Sequence, residues 1–348
     1  MTTWLKWCAL LPLLAACNPE FDNRFSTVDS PRVLAIQSTP AQAAPSKDVA
    51  YRILVVGPRG TIDQPTVDWS FCTQAKPVSE LNDVSQECFG TGEHVVPFAM
   101  GADATGTIPK NACRQFGPDI PETQPGEPAA RPIDADSTGG YYQPIILNVA
   151  ADGETVSTLG ETRIACGLAN STGSQLEAYQ LGSKPNENPK LSQVVATSSN
   201  DALLADGASS SSLTVKPGEL VTLRASWPSC PSEPSCGDGM CTSGESQTDC
   251  PDDCSSTPVG CQGPEQYAYL DPVSTLVVPR HESMRVSWFA TQGEFHDDHT
   301  GRLEEEFENT SSDNTWRAPK LAGPVFMWVV LRDARGGVDF QSYRLEVE

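Results

Sequence analysis

Alternating apolar and polar positions recur along the chain with a period of two residues. In "LVTLRASW", Val221, Leu223, Ala225 and Trp227 share one face, opposite Thr222, Arg224 and Ser226. "MRVSWFA" groups Met284, Val286, Trp288 and Ala290, and the C-terminal "YRLEVE" sets Tyr343, Leu345 and Val347 against Arg344, Glu346 and Glu348. Successive side chains of a β-strand point to opposite faces, so these runs predict half-buried antiparallel strands. Two nearly continuous apolar runs, "VAYRILVV" (49–56) and "VFMWVVL" (325–331), predict strands central to a core. No segment carries sustained helical periodicity, and the chain reads as all-β.

The two halves echo each other. The first has Pro45, a strand from Val49 to Val56, then "TVDWSF" with Trp69. The second has Pro217 in "KPGE", a strand from Leu220 to Trp227, then "MRVSW" with Trp288. A proline turn, a strand, then a strand with a core tryptophan resembles the order in immunoglobulin-like sandwiches. The resemblance implies two tandem immunoglobulin-like β-sandwiches, 30–184 and 185–348, divided near the polar, helix-breaking "LGSKPNENPK". The antibody disulfide is not expected: strand 49–56 holds no cysteine to face Cys166, and no tyrosine stands two residues before Cys166. The last strand pair turns at "DARGG", where glycine supplies positive φ.

The first residues, "MTTWLKWCALLPLLAAC", combine Lys6, an apolar run too short to span a bilayer, and Ala15-Ala16 directly before Cys17. This resembles a bacterial lipobox. The resemblance implies that 1–16 is a lipoprotein signal peptide and that Cys17 becomes an acylated N-terminus. Each buried CH₂ contributes about 0.8 kcal/mol, so two or three chains anchor stably where one does not. Residues 17–29 then read as the acylated terminus and a flexible tether, reaching about 40 Å at most. Asn18, standing where aspartate often signals inner-membrane retention, points to the outer membrane, at its periplasmic face or the cell surface.

Net charge is −22, and removing Lys6 with residues 1–16 leaves −23. That charge repels phosphate backbones, which excludes nucleic acid as a partner. Twelve cysteines minus Cys8 and Cys17 leave an even set: Cys72, Cys88, Cys113, Cys166, Cys230, Cys236, Cys241, Cys250, Cys254 and Cys261. In an exported chain this predicts disulfides throughout.

Four of the ten crowd into "CGDGMCTSGESQTDCPDDC", with Cys230 and Cys261 placed to clasp it as an insertion, 230–261, in the second sandwich. So short a segment lacks a core, and cross-links of about 2–4 kcal/mol each supply what burial does not. The spacing C-x₄-C-x₈-C-x₃-C without histidine departs from zinc pairs. Asp238, Glu245, Asp249, Asp252 and Asp253 suit calcium, and equally suit a solvated knot. The stretch resembles the CGDGxC…CPxDC modules of exported myxobacterial proteins, and "VSWFATQGEF", "NTWRAP" and "WVVLRDARGGVDF" resemble lipoproteins of the same bacteria. That resemblance implies location and fold, and no activity.

"DADSTGG" opens like a calcium loop with Asp134, Asp136 and Thr138, but position twelve is Ile145 and flanking helices are lacking; a polar turn is the alternative. "FHDDH" places His296 and His299 on one face of a helix, or on opposite faces in a hairpin. There is no G-x-S-x-G elbow, no H-E-x-x-H and no Gly-rich phosphate loop. The expected protein is therefore a non-catalytic, lipid-anchored envelope module, structural or adhesive, meeting an envelope protein or polysaccharide. The alternatives are an exported hydrolase of envelope or extracellular polymers using loop carboxylates, and a calcium-stiffened surface module. No cofactor is expected, with calcium as the alternative.

Overall fold

The computed structural model describes residues 25–76, 84–118, 136–198, 201–204, 211–230, 236, 248, 250–252 and 261–348. They form two immunoglobulin-like sandwiches with the same strand order. In the first, Arg32–Thr39, Asp48–Gly57 and Gly60–Thr61 make one sheet, with Asp103–Thr107 also paired to Asp48–Gly57. The facing sheet runs Gln42–Ala43, Glu154–Ala165, Gly140–Ala151, Thr66–Cys72, Val95–Met100. In the second, Asp201–Leu204, Gln193–Thr197, Leu220–Ser226, Ser311–Arg317 and Glu294–Phe295 form one sheet. The other runs Ser211–Val215, Val338–Val347, Gly323–Asp333, Met284–Ala290, His299–Arg302. Each half opens with a strand paired antiparallel in one sheet; a following short strand then lies parallel to the last strand of the other sheet.

The alternation read from sequence is the burial observed. Val221, Leu223 and Ala225 are buried, while Leu220, Thr222 and Arg224 are exposed. Trp69 and Trp288 lie fully buried on equivalent strands, one in each core.

The two continuous apolar runs have a different explanation from a simple core. In Gly323–Asp333, Val325, Met327 and Val329 enter the second sandwich's own core, while Trp328 and Val330 point the other way. In Asp48–Gly57, Val49, Tyr51 and Val55 enter the first core, while Leu54 and Val56 point the other way. The outward residues meet, with Val28, Leu34, Ala35 and Val338, in one buried seam. The sandwiches are thus stacked face to face, four β-layers joined by three apolar seams. Polar bonds cross the middle seam: Trp328 Nε1 donates to Thr61 Oγ1 (2.8 Å), and an Arg332 guanidinium nitrogen donates to the Leu34 carbonyl (2.8 Å).

One expectation is corrected, and two features are added. The tether does not extend to residue 29: Val28 N–H bonds Ala290 O (2.9 Å), Ala290 N–H bonds Ser26 O (2.8 Å), and Val28 is buried. The 181–190 boundary is packed: Asn186 and Pro189 are buried, and Asn186 bonds Gln42 of the first half and Asp333 of the second. A helix exists, Gly173–Gly182, started by a capping box between Thr172 and Gln175. It buries no residue, so its sequence carries no apolar stripe to find.

Disulfides join Cys72 to Cys88, Cys113 to Cys166, Cys230 to Cys261 and Cys236 to Cys250. Cys241 and Cys254 lie outside the described residues. Beyond the Cys230–Cys261 clasp the insertion continues as a hairpin, Gln266–Leu270 with Val277–His281.

Candidate functional site at the junction of the sandwiches

The "DARGG" turn builds the most elaborate polar site among the described residues. Asp333 Oδ1 accepts the backbone N–H groups of Arg335 and Gly337, each at 2.8 Å, and folds the turn over itself. Gly336 supplies the expected positive φ of +96°, and a Cβ on Gly337 would overlap the Asp333 carboxylate. The turn sends Arg335 inward, leaving it 3% exposed. Its Nε donates to Glu282 Oε1 (2.6 Å), one Nη to Glu265 Oε2, and the other to the Lys184 carbonyl (3.1 Å). The guanidinium also lies over the Tyr267 ring, 5.0 Å from its centre.

Glu265 and Glu282 are each 1% exposed and stand at the two ends of the insertion hairpin. Glu265 N–H donates to Glu282 Oε2 (3.1 Å), and Cys261 N–H donates to Glu265 Oε1 (3.1 Å). The linker joins through Asn186, whose Nδ2 donates to Asp333 Oδ2 (3.2 Å). The first sandwich joins through Gln42, whose Oε1 accepts from Asn186 N–H (3.2 Å) and Arg163 Nε (3.0 Å).

Two carboxyls grip one buried guanidinium, and a third, Asp333, holds the backbone of the same arginine. Burial, then the Asp333 charge, pushes Glu282 well above the ordinary carboxylate range, although Arg335 opposes both. Burial also raises Glu265 and Asp333, against Arg335 and backbone donors respectively. Burial works against the charge on Arg335, but Glu282 and Glu265 outweigh it and hold the guanidinium ionised. A general acid or base must reach a substrate proton. Here guanidinium, amide and backbone N–H groups occupy the carboxylate oxygens, so the cluster fastens the junction.

Of the sequence-predicted site residues, Asp136 and Thr138 fall beside this junction. Asp136 Oδ1 accepts from Thr138 N–H (2.7 Å) and from the Thr138 hydroxyl. Arg163 in turn donates to Thr138 Oγ1 (2.6 Å), the Tyr179 hydroxyl to Thr138 O (2.8 Å), and Leu270 N–H to Ser137 O (2.8 Å). A guanidinium thus stands at the threonine oxygen that a calcium loop would offer a cation. The described part of the loop is a joint between the first sandwich, the helix and the hairpin. Asp134 lies outside the described residues, as do Asp238, Glu245, Asp249 and Asp253; Asp252 is exposed.

His296 and His299 part company, the first hydrogen-bonded to Asp297 (2.9 Å) and the second to Ser287 (3.2 Å). Among the described residues no three His, Cys, Asp or Glu side chains are grouped to hold a metal. Nor is any helix of the described residues long and apolar enough to cross a membrane. Cys17 lies outside the described residues.

Sequence reasoning missed Glu265, Glu282 and Arg335. An arginine flanked by turn glycines reads as solvated, and nothing local to it announces two carboxylates more than fifty residues earlier. Beside the cluster, a groove of about 790 Å³ opens between the sandwiches, lined by Tyr51, Arg52, Asp103, Glu187, Lys190 and Asp339, among others. It is the concave surface the junction offers, and it mixes both signs of charge.

No family model and no curated protein matches the chain. Among solved structures, the chain is similar to the D00–D0 domain of intimin (8% identity, 92% of this chain and 98% of that one, TM-score 0.22). It is also similar to the C-terminal domain of the Streptococcus agalactiae AgI/II polypeptide BspA (8%, 91% and 99%, TM-score 0.24). A β-glycosidase from Bacteroides vulgatus is matched over 24% of its length (9% identity, 91% of this chain, TM-score 0.20). At these TM-scores the likenesses carry no argument, and the sandwiches are assigned from their own strand order.

Proposed function

We propose that the chain is an exported, lipid-anchored envelope module that presents a rigid two-sandwich body to a protein or polysaccharide partner and carries out no chemistry itself. The observation that carries this reading is the fusion of the sandwiches into one body by a buried apolar seam and the Arg335 cluster. A brace or adhesive module must hold its binding surfaces at a fixed separation, and stacked sandwiches do so without a hinge. Disulfides suit an oxidising compartment outside the cytoplasm. The body begins by residue 25, docked on the second sandwich, so a tether of residues 18–24 reaches about 25 Å at most. Its anchor in the outer membrane would then keep the body near the lipid surface.

The test has two arms. Cells expressing wild type or Cys17→Ser are labelled with an alkyne fatty acid and fractionated; loss of label and of membrane association in the variant is the expected result. Unchanged membrane association removes the anchor from the reading. Purified wild-type protein is then incubated with envelope polymers. Release of fragments that a single carboxylate substitution abolishes would establish the hydrolase alternative.

A further inference from the structure

We propose that the Arg335 cluster is a proton-gated latch: one proton held among Glu265, Glu282 and Asp333 keeps the insertion hairpin clamped to the junction, and its loss releases the hairpin root and the linker. The geometry is that of a clamp. The hairpin is a two-stranded ribbon, and such a ribbon is marginal unless it is held by other structure. Its root is closed by Glu282 N–H to Glu265 O (3.0 Å), and the carboxylates of those same two residues grip one guanidinium. Asp333 positions that guanidinium through the turn and holds the linker through Asn186. The hairpin root, the turn and the linker therefore meet at four buried side chains carrying three acidic groups and one base, while Leu270 N–H to Ser137 O and the Arg280–Glu304 pair hold the hairpin farther out.

The groups facing the cluster leave the imbalance standing. The linker contributes Lys184, near enough to act on Glu265 and His281, and the neutral Asn186. The hairpin contributes Tyr267 and His281, the latter's proton affinity lowered by burial, with Lys184 acting in the same sense and Glu304 opposing. Arg280, across the hairpin from Tyr267, is committed to an ion pair with Glu304. From the first sandwich, Arg163 is committed to Gln42 and Thr138, and Tyr142 offers a hydroxyl to the Arg335 carbonyl (3.4 Å). The helix adds Tyr179, bonded to Thr138 O.

The direction of the gate follows from linkage. A carboxyl raised in the folded state binds its proton more tightly there than in the released state. The latch is therefore firmest below the ordinary glutamate value of 4.5, and it weakens as pH rises through the shifted value of Glu282. Between those limits each pH unit changes the opening equilibrium by up to about tenfold.

Hydrogen exchange of the full chain in detergent, read by mass spectrometry, tests this. Wild type and Glu282→Gln are compared at matched pH from about 5 to 9, which cancels intrinsic exchange. The readout is the slope of the wild-type-to-variant exchange ratio, because the amide lacks one acceptor and shifts its absolute level. The ratio for segments 184–191 and 265–282 is expected to climb by up to about tenfold per unit and then level off. A ratio that is flat across the range overturns the proposal. An equal climb in the core strand Leu220–Ser226 overturns it too, since it reports global unfolding. If Glu282→Gln does not fold, Glu265→Gln on the other arm of the guanidinium gives the same reading, and a flat ratio there is equally decisive.

Discussion

Replacing Trp328 by alanine probes the claim that two sandwiches make one body. Trp328 is fully buried, yet it faces away from its own sandwich and into the seam. A tryptophan buries about 150–250 Å². At about 25 cal/mol per Å² that is roughly 4–6 kcal/mol, and core substitutions of this kind cost about 3–5 kcal/mol. The lost hydrogen bond to Thr61 adds about 1 kcal/mol, softened because the Thr61 hydroxyl keeps Ser342 as a partner (3.1 Å). About 4 kcal/mol at about 2–4 °C each gives a fall of roughly 8–16 °C. Differential scanning calorimetry should show one transition for wild type and two for Trp328→Ala, because the seam couples the sandwiches. Leu223→Ala, inside the second core, is the control: it costs about 2–5 kcal/mol without separating the transitions. A Trp328→Ala protein melting within a degree of wild type, or a wild type already melting in two independent steps, would refute the shared seam.

Other outcomes follow from the same contacts. Replacing Cys113 and Cys166 by serine opens a separation of 53 residues and should cost about 4 kcal/mol in the chain-entropy model, against about 3 for Cys72 and Cys88 at 16; denaturant titration should rank them so. Thr172→Ala removes the helix cap and should cost about 1 kcal/mol, visible as faster amide exchange in 173–182 with the cores unchanged. Because Arg163 holds Thr138, the wild-type protein should melt identically with excess chelator or with calcium. A calcium-dependent difference would return a cation to that loop.

How much of this was legible beforehand is best judged strand by strand. The period-two runs located Leu220–Ser226, Met284–Ala290 and the final hairpin, because a sheet with one dry face forces alternation on its sequence. The placing of Trp69 and Trp288 on equivalent strands was legible for the same reason. The helix was not, since an exposed helix imposes no periodicity and only its Thr172–Gln175 cap marks it. The cysteine count predicted cross-linking, and the pairing of Cys230 with Cys261 follows the bracket they make around the insertion.

What the sequence settled alone is class and composition: an all-β chain, doubled, acidic, and stocked with an even set of cysteines for cross-linking. Local patterns suffice there because alternation, turn glycines and charge act over a few residues. Tertiary structure alone decided that the continuous runs at 49–56 and 325–331 are apolar on both sides because they face each other. It alone gathered Glu265, Glu282, Asp333 and Arg335 into one buried site. Contacts between residues far apart in the chain depend on how whole sheets stack, and no window of sequence contains both partners.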